Sequence, residues 1–362
     1  MLTLARRPTL TGFALVAGLS IAHADPIALT DLTGREIELS APASRIVAFP
    51  VPAASIVIAL DGGVDRLMAL HPEAKSAMEE GILGEFFPEL TELPSNILAD
   101  GATRGRKPNL EAVTELNPDL VIQWEHAGAD AQALIDAGLS TALLLCGEEG
   151  YIRNAITLLG GAIGKSDKVD ILMAWRDETS AAIAEGLATL EDGGKSKVAY
   201  FFYALTDLHT EGRGTYADWQ IGHVGGVNAA AGTDGWGQVG VEEVARWNPD
   251  VILLGTFESG LHIDRILDDP VLRGTNAVVN RRVYKMPLGG YRWESASHES
   301  PMTWMWLANV LHPEQFQFDV RAAVAEWYPK LYGHTPTEAQ IDTILQMQMN
   351  GESPNYEIFA AK

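Results

Sequence analysis

The sequence predicts an α/β protein of two lobes, each built on a central, mostly parallel sheet, joined by one long helix. Three observations carry this prediction. The first is a motif that occurs twice: Asn109–Ile122 reads NLEAVTELNPDLVI and Val241–Leu254 reads VEEVARWNPDVILL. Each copy is a short apolar-periodic segment, then Asn-Pro-Asp, then a wholly apolar run. A proline disfavours helical backbone in the residue before it, so a helix should end at Asn117 and again at Asn248. The run that follows suits a strand buried on both faces. Glu111 and Glu242 precede their asparagines by the same interval. Second, short apolar runs alternate with helical patterns through residues 25–147, as in a helix-covered parallel sheet. Third, Tyr151–Leu190 is a helical run without a strand signal, its apolar positions including Ile171, Met173, Ala174, Ala181, Ile183 and Leu187. The two motif copies lie too far apart for a solenoid, so they mark two lobes of similar build.

The 362 residues suffice for two domains of roughly 100–200 residues each. The first 24 residues read as a cleaved secretory signal. Arg6-Arg7 precede an apolar stretch from Leu10 to Ala22, and Ala22-His23-Ala24 forms the cleavage site before Asp25. Pro8-Thr9 after the arginines favours ordinary export over the twin-arginine route. No cysteine stands at the cleavage site to carry a lipid. A protein of the periplasm is expected.

In chain order, Ile27–Ser40 alternates about Thr33-Gly34 and reads as a hairpin. Arg45–Phe49 is the first core strand and Ala53–Leu60 a helix. Leu67–Leu70, Val121–Gln123 and Ala142–Leu145 are further strands, with a helix over Ala131–Ala137. A long connecting helix in 148–195 would hold the lobes stiffly where a Gly/Ser linker would let them swing. The second lobe, 196–362, opens with a strand at Val198–Tyr203. A Gly-rich stretch from Gly212 to Gly240 follows, then the second motif, a strand at Val283–Met286 and a helix at Trp304–Val310. A helix over Thr337–Met349 and a polar tail end the chain.

The formal charge is −22 at pH 7, and loss of the leader removes two arginines and no acid. Such a field repels nucleic acid and anionic lipid and favours basic partners. Cys146, the single cysteine, follows an apolar run and reads as a small buried hydrophobe. Enzyme constellations are missing: no G-x-S-x-G, no phosphate-binding P-loop, no H-E-x-x-H and no G-x-G-x-x-G after a strand. The histidines are scattered, with no pair at helical ligand spacing, so no intrinsic metal or other cofactor is expected.

Aromatic and arginine side chains do gather near strand ends, where parallel α/β sheets bind ligands. The first lobe offers Trp124 and His126, with Arg104 and Arg106 upstream of the motif. The second offers Tyr203, Tyr216, Trp219, Phe257 and the cluster Tyr291-Arg292-Trp293. Three bulky residues after the flexible pair Gly289-Gly290 are hard to bury together, which points that cluster toward a ligand. Aromatic rings supply flat walls and arginine a fork for ligand oxygens.

From about Ile27 to Phe316 the chain resembles the periplasmic binding proteins of ABC importers for iron–siderophore, haem and vitamin B12. The resemblance rests on DLTGREIELSAPASRIVAF, the two motif copies, and RRVYKMPLGGYRWESASHESPMTWMWLANVLHPEQF. It implies two Rossmann-like lobes joined by a helical backbone, a monomeric receptor, and a metal chelate, iron–siderophore above all, bound between the lobes. It also implies that Glu111 and Glu242 dock on arginines of the membrane permease. Haem, cobalamin or a small oxyanion such as molybdate are alternative cargoes, and an exported enzyme on the same frame is a further alternative.

Overall fold

The computed structural model describes residues 26–99, 107–190 and 195–361; the leader, Arg104 and Arg106 lie outside them. The chain opens with the expected hairpin, β1 (Ile27–Thr30) antiparallel to β2 (Glu36–Leu39). Gly34 takes φ +87° in its turn, a conformation a side chain would strain. Asp31 closes the turn by accepting the Thr33 and Arg35 N–H groups at 2.9 and 3.0 Å.

The first lobe holds four parallel strands: β3 (Ile46–Ala48), β4 (Leu67–Leu70), β5 (Leu120–Trp124) and β6 (Thr141–Leu144), in the order β4-β3-β5-β6. Every residue of β3 and β6 is buried, as continuous apolar strands covered on both faces should be. The second lobe is built differently at one side. Strands β7 (Lys197–Tyr203), β11 (Val251–Leu254) and β12 (Val283–Lys285) are parallel. On β7 pairs β8 (Leu208–Glu211), antiparallel, and on β8 in turn β10 (Trp236–Val239), again antiparallel, while β9 (Val227–Asn228) pairs parallel with β7. The Gly-rich stretch 212–240 is therefore ordered structure, with the helix Tyr216–His223 inside it. Its strands are short and interrupted by glycine, so no alternation announced them.

The repeated motif builds the same joint in both lobes. The helices Leu110–Glu115 and Val241–Trp247 stop before Asn-Pro-Asp, and Asn117 and Asn248 adopt left-handed φ of 45° and 47°. Each aspartate then reaches the chain entering the neighbouring strand. Asp119 accepts the N–H groups of Ser44 and Arg45 and the Ser44 hydroxyl at 2.8–3.0 Å; Asp250 accepts the Lys197 N–H at 2.8 Å. The base at that strand entry returns the favour to the helix end. Arg45 donates to the carbonyls of Leu116 and Asn117, and Lys197 to that of Trp247, satisfying carbonyls that a helix terminus leaves without partners.

The helical run between the lobes is two helices, not one: Glu149–Ala162 and Ser166–Leu187, separated by Gly164 at φ +70°. The second, 22 residues and about 33 Å long, is the connector. Arg176, wholly buried on it, forms a bidentate pair with Glu149 at 2.6–2.7 Å and donates to the Ser297 carbonyl at 2.8 Å. Burying that charge is tolerable because all its strong contacts are satisfied.

The C-terminal region departs most from expectation. A helix over Val320–Tyr332, unread in the sequence, packs against Ala53–Asp61 of the first lobe and Ser300–Leu311 of the second. Its Trp327 stacks on Trp175 of the connector at 3.8 Å. The expected helix over Thr337–Met349 is broken at Gln346, φ 54°, into Glu338–Ile344 and Met347–Asn350. The final residues are no polar tail, since Tyr356 and Phe359 are buried. Asn350 bonds the N–H and C=O of Lys285 at 2.8 Å each, and Ser353 the Val283 carbonyl at 3.0 Å. Side chains thus close the open edge of β12 as a strand would.

Candidate functional site

Between the lobes lies a cleft of about 190 Å³. The first lobe contributes Val51 and Pro52 after β3, Trp124 at the end of β5, and residues from Leu145 to Ile152 after β6. The second contributes Glu211 at the end of β8, Tyr216, Trp236 and Phe257, and the segment Glu294–Ala296. Most of these follow the carboxyl ends of parallel strands, where the backbone turns away and leaves room for a ligand.

Of the residues expected at a site, the cleft brings together Trp124, Tyr216 and Phe257. Tyr216 is buried; its hydroxyl accepts the Trp304 indole N–H at 3.2 Å, and burial pushes its pKa up. Trp219 stands behind it, stacked on Tyr216 at 5.5 Å and on His223 at 4.5 Å. Burial lowers His223 to about 4, so this imidazole is neutral at physiological pH. His126, two residues beyond Trp124, is exposed and stacks on it at 5.4 Å without lining the cleft. Tyr203 meets Phe257 edge-on at 5.8 Å, also off the lining. Arg106 is outside the described residues.

The cluster Tyr291-Arg292-Trp293 corrects its sequence reading. All three residues are buried, Tyr291 and Trp293 completely, and none lines the cleft. The glycine pair is what permits this. A side chain at Gly289 or Gly290 would collide with Glu299 and with Tyr328 or Tyr332, so the backbone passes directly over those groups. Glu299 then accepts the Trp293 indole N–H at 2.9 Å, the Gly290 N–H at 3.1 Å and the Tyr332 hydroxyl at 2.8 Å. Arg292 is 3 % exposed behind Phe257, its guanidinium 4.8 Å from the ring centre. It donates to the carbonyl and hydroxyl of Thr256 and lies 3.8 Å from Glu80 of the first lobe, while its Nε has no partner among the described residues.

Several lining residues gave no clear signal in the sequence. Tyr151 and the exposed Trp236 add two rings, and Cys146 faces the cleft, contrary to its reading as a buried hydrophobe. Its sulfur lies 3.9 Å from His126 Nδ1. Glu211 and Glu294 are the other additions. Glu294 Oε1 accepts the N–H and hydroxyl of Thr256 at 2.5 and 2.8 Å. Glu211 is raised to about 7, chiefly by burial and further by the charge of Glu294, against hydrogen bonds from Ala217 N–H, Trp236 and Thr215. A strand ending His-Thr-Glu before Gly212 was the only trace that could have pointed to Glu211.

Glu111 and Glu242 occupy equivalent places, exposed in the first turn of each motif helix. Among the described residues no helix is long and apolar enough to cross a membrane.

Comparison with known proteins agrees with this architecture. Residues 100–288 match the periplasmic binding protein family. The chain is 24% identical over 342 residues to the molybdate-binding protein MolA of Haemophilus influenzae, covering 88% of this chain and 94% of that one. It is similar in structure to a periplasmic solute binding protein from Veillonella parvula, with a TM-score of 0.80 at 29% identity, covering 92% of this chain and 100% of the other. The molybdate-bound structure of MolA has the same fold, with a TM-score of 0.74 at 22% identity over 86% of this chain and 99% of its own. The chain belongs to the periplasmic binding protein family, the solute-binding components of ABC transporters.

Proposed function

We propose that this protein is a periplasmic receptor that captures a metal complex between its lobes and presents it to an ABC permease of the inner membrane. The observation that supports this reading best is the composition of the cleft. Five rings from two lobes, Trp124, Tyr151, Tyr216, Trp236 and Phe257, surround one space. Flat aromatic walls suit the organic shell of a chelate, burying apolar area while tolerating varied polar edges. The cargo expected from family resemblance is an iron–siderophore. At about 190 Å³ the cleft is smaller than the roughly 300–1,000 Å³ usual for ligand pockets, so it suits a compact complex. A full siderophore, haem or corrin would need the lobes to part. The connector and the C-terminal helix against both lobes favour small movements over a wide hinge.

The direct test is an absorption spectrum, native mass and metal analysis of the mature protein as purified. A visible charge-transfer band with iron supports a siderophore, and a Soret or corrin band names those cofactors as cargo. A colourless protein carrying an oxyanion would replace the proposal with the second reading below.

Glu111 and Glu242 would meet basic residues of the permease, one from each lobe. Replacing both by alanine should stop uptake in cells while leaving cargo affinity intact; a parallel loss of affinity would assign them to the fold instead.

The second reading is a receptor for a small oxyanion. It is favoured by the Nε of Arg292, close behind Phe257 and without a partner among the described residues, and by likeness to a molybdate-binding protein over most of the chain. Arg292→Ala should then weaken molybdate binding by about 1–3 kcal/mol, the scale of a lost charged hydrogen bond.

A further inference from the structure

The charge in the cleft says more about the cargo than the rings do. Among the described residues that line it, Glu148, Glu211 and Glu294 are acidic and none is lysine or arginine. Glu294 is 2 % exposed, and while its Oε1 is bonded to Thr256, its Oε2 has no partner among the described residues. A buried carboxylate oxygen without a donor is costly, and a bound donor or cation would relieve that cost. Glu211, at the end of β8, lines the same space and already feels the charge of Glu294. The nearby bases stand behind the lining: Arg292 donates to Thr256, and Lys285 donates from Nζ to the Glu258 carbonyl at 3.0 Å. An anion entering here would meet Glu211 and Glu294, which already oppose each other's charge, with Glu148 on the same lining and no lysine or arginine among its described residues. A cation would relieve both, and the surrounding ring faces would attract it further.

Resting on the reading of the cleft as the cargo site, we infer that the cargo presents positive charge and N–H donors to Glu294 and Glu211. The class is a compact cationic complex or a chelate bearing protonated amines, with Trp124, Trp236 and Phe257 against its sides. Among the described residues no three His, Cys, Asp or Glu side chains converge as for a bare ion. Two carboxylates and a ring of aromatics instead match the outer surface of a complex whose metal is already ligated.

Two inert octahedral complexes of similar size and opposite charge test the inference: hexaamminecobalt(III) and hexacyanocobaltate(III). Calorimetric titration of the mature protein at physiological salt should show the hexaammine binding once per molecule and the hexacyanide not binding. Glu211→Gln and Glu294→Gln, near-isosteric and checked for folding by thermal melting, should each weaken the hexaammine at least tenfold. Ala296→Trp, which fills the cleft, should abolish binding, and cobalt anomalous scattering should place the ion beside both carboxylates. Affinity unchanged in both glutamine variants, as for diffuse attraction to an acidic surface, overturns the inference, as does no hexaammine binding at millimolar concentration. Stoichiometric binding of the hexacyanide, lost in Ala296→Trp, would keep the cleft as the cargo site and refute only its preference for cations. Hexaammine binding that survives Ala296→Trp would remove the cleft itself.

Discussion

The two lobes share one joint and differ in what is attached to it. In both, a short helix ends at Asn-Pro-Asp, an aspartate anchors the entry of the neighbouring strand, and a base at that entry caps the helix end. The first lobe adds little to this frame beyond four parallel strands. The second adds an antiparallel extension, β8 and β10, and a C-terminal segment that seals β12. The extension is what carries Glu211 and Trp236 into the cleft. The common frame therefore sets strand ends and exposes Glu111 and Glu242 at matched positions, while the additions of one lobe give the cleft its charge and much of its wall.

This contrast can be broken at its strongest point by Tyr356→Ala. The tyrosine is fully buried; it accepts the Trp306 indole N–H at 3.0 Å and donates to the Leu345 carbonyl at 2.5 Å. Its loss should cost about 3–5 kcal/mol in denaturant unfolding, as for other buried aromatics. A cost below about 1 kcal/mol would make the C-terminal segment a mere appendage. The shared joint is tested by a matched pair, Asp119→Ala and Asp250→Ala. Each removes charged hydrogen bonds and should cost about 1.5–3 kcal/mol. Asp119 should be the more costly, because it serves two N–H groups and a hydroxyl at one strand entry, whereas Asp250 serves one N–H and the Asn276 amide. The reverse order would mean that the two joints differ in ways their geometry does not show.

A smaller effect separates the lobes by pH. Glu211 faces Glu294, the Trp236 indole, the Thr215 hydroxyl and the Ala217 N–H, and its pKa is raised to about 7. Folding therefore favours the protonated acid. Its contribution is fully present below the ordinary carboxylate range near 4.5 and is lost as pH rises through about 7. Relative to Glu211→Gln, the native protein should lose stability across that window and hold a constant deficit above it. Melting curves of the two proteins in parallel at several pH values check this, and a constant difference throughout would deny the raised pKa. The smallest effect is expected from Glu111→Ala with Glu242→Ala. Both residues are exposed, so unfolding free energy should move by no more than about 0.5 kcal/mol. A larger loss would tie them to the frame.

Much of the frame was legible because it is written locally. Proline geometry ended both motif helices, and continuous apolar runs marked β3, β6 and β11, since a strand buried on two faces needs no alternation. The site was legible only in part. Reasoning from strand ends picked out Trp124, Tyr216 and Phe257, which line the cleft, and equally Tyr291, Arg292 and Trp293, which stand buried behind it. Whether a ring lines a cavity or fills a core depends on what stands opposite, and for Trp293 that is Glu299 beneath two glycines.

The amino-acid sequence by itself determined two α/β lobes and the repeated joint, with a glutamate at the same place in each copy. Each follows from backbone preferences and hydrophobic period within about fifteen residues. Tertiary structure alone decided that Glu211 and Glu294, 83 positions apart, share one cleft whose described lining holds no lysine or arginine, and that residues 320–361 bridge and seal the lobes. Charge and burial of that kind arise only when distant segments meet, because desolvation is a property of the surroundings and not of the residue.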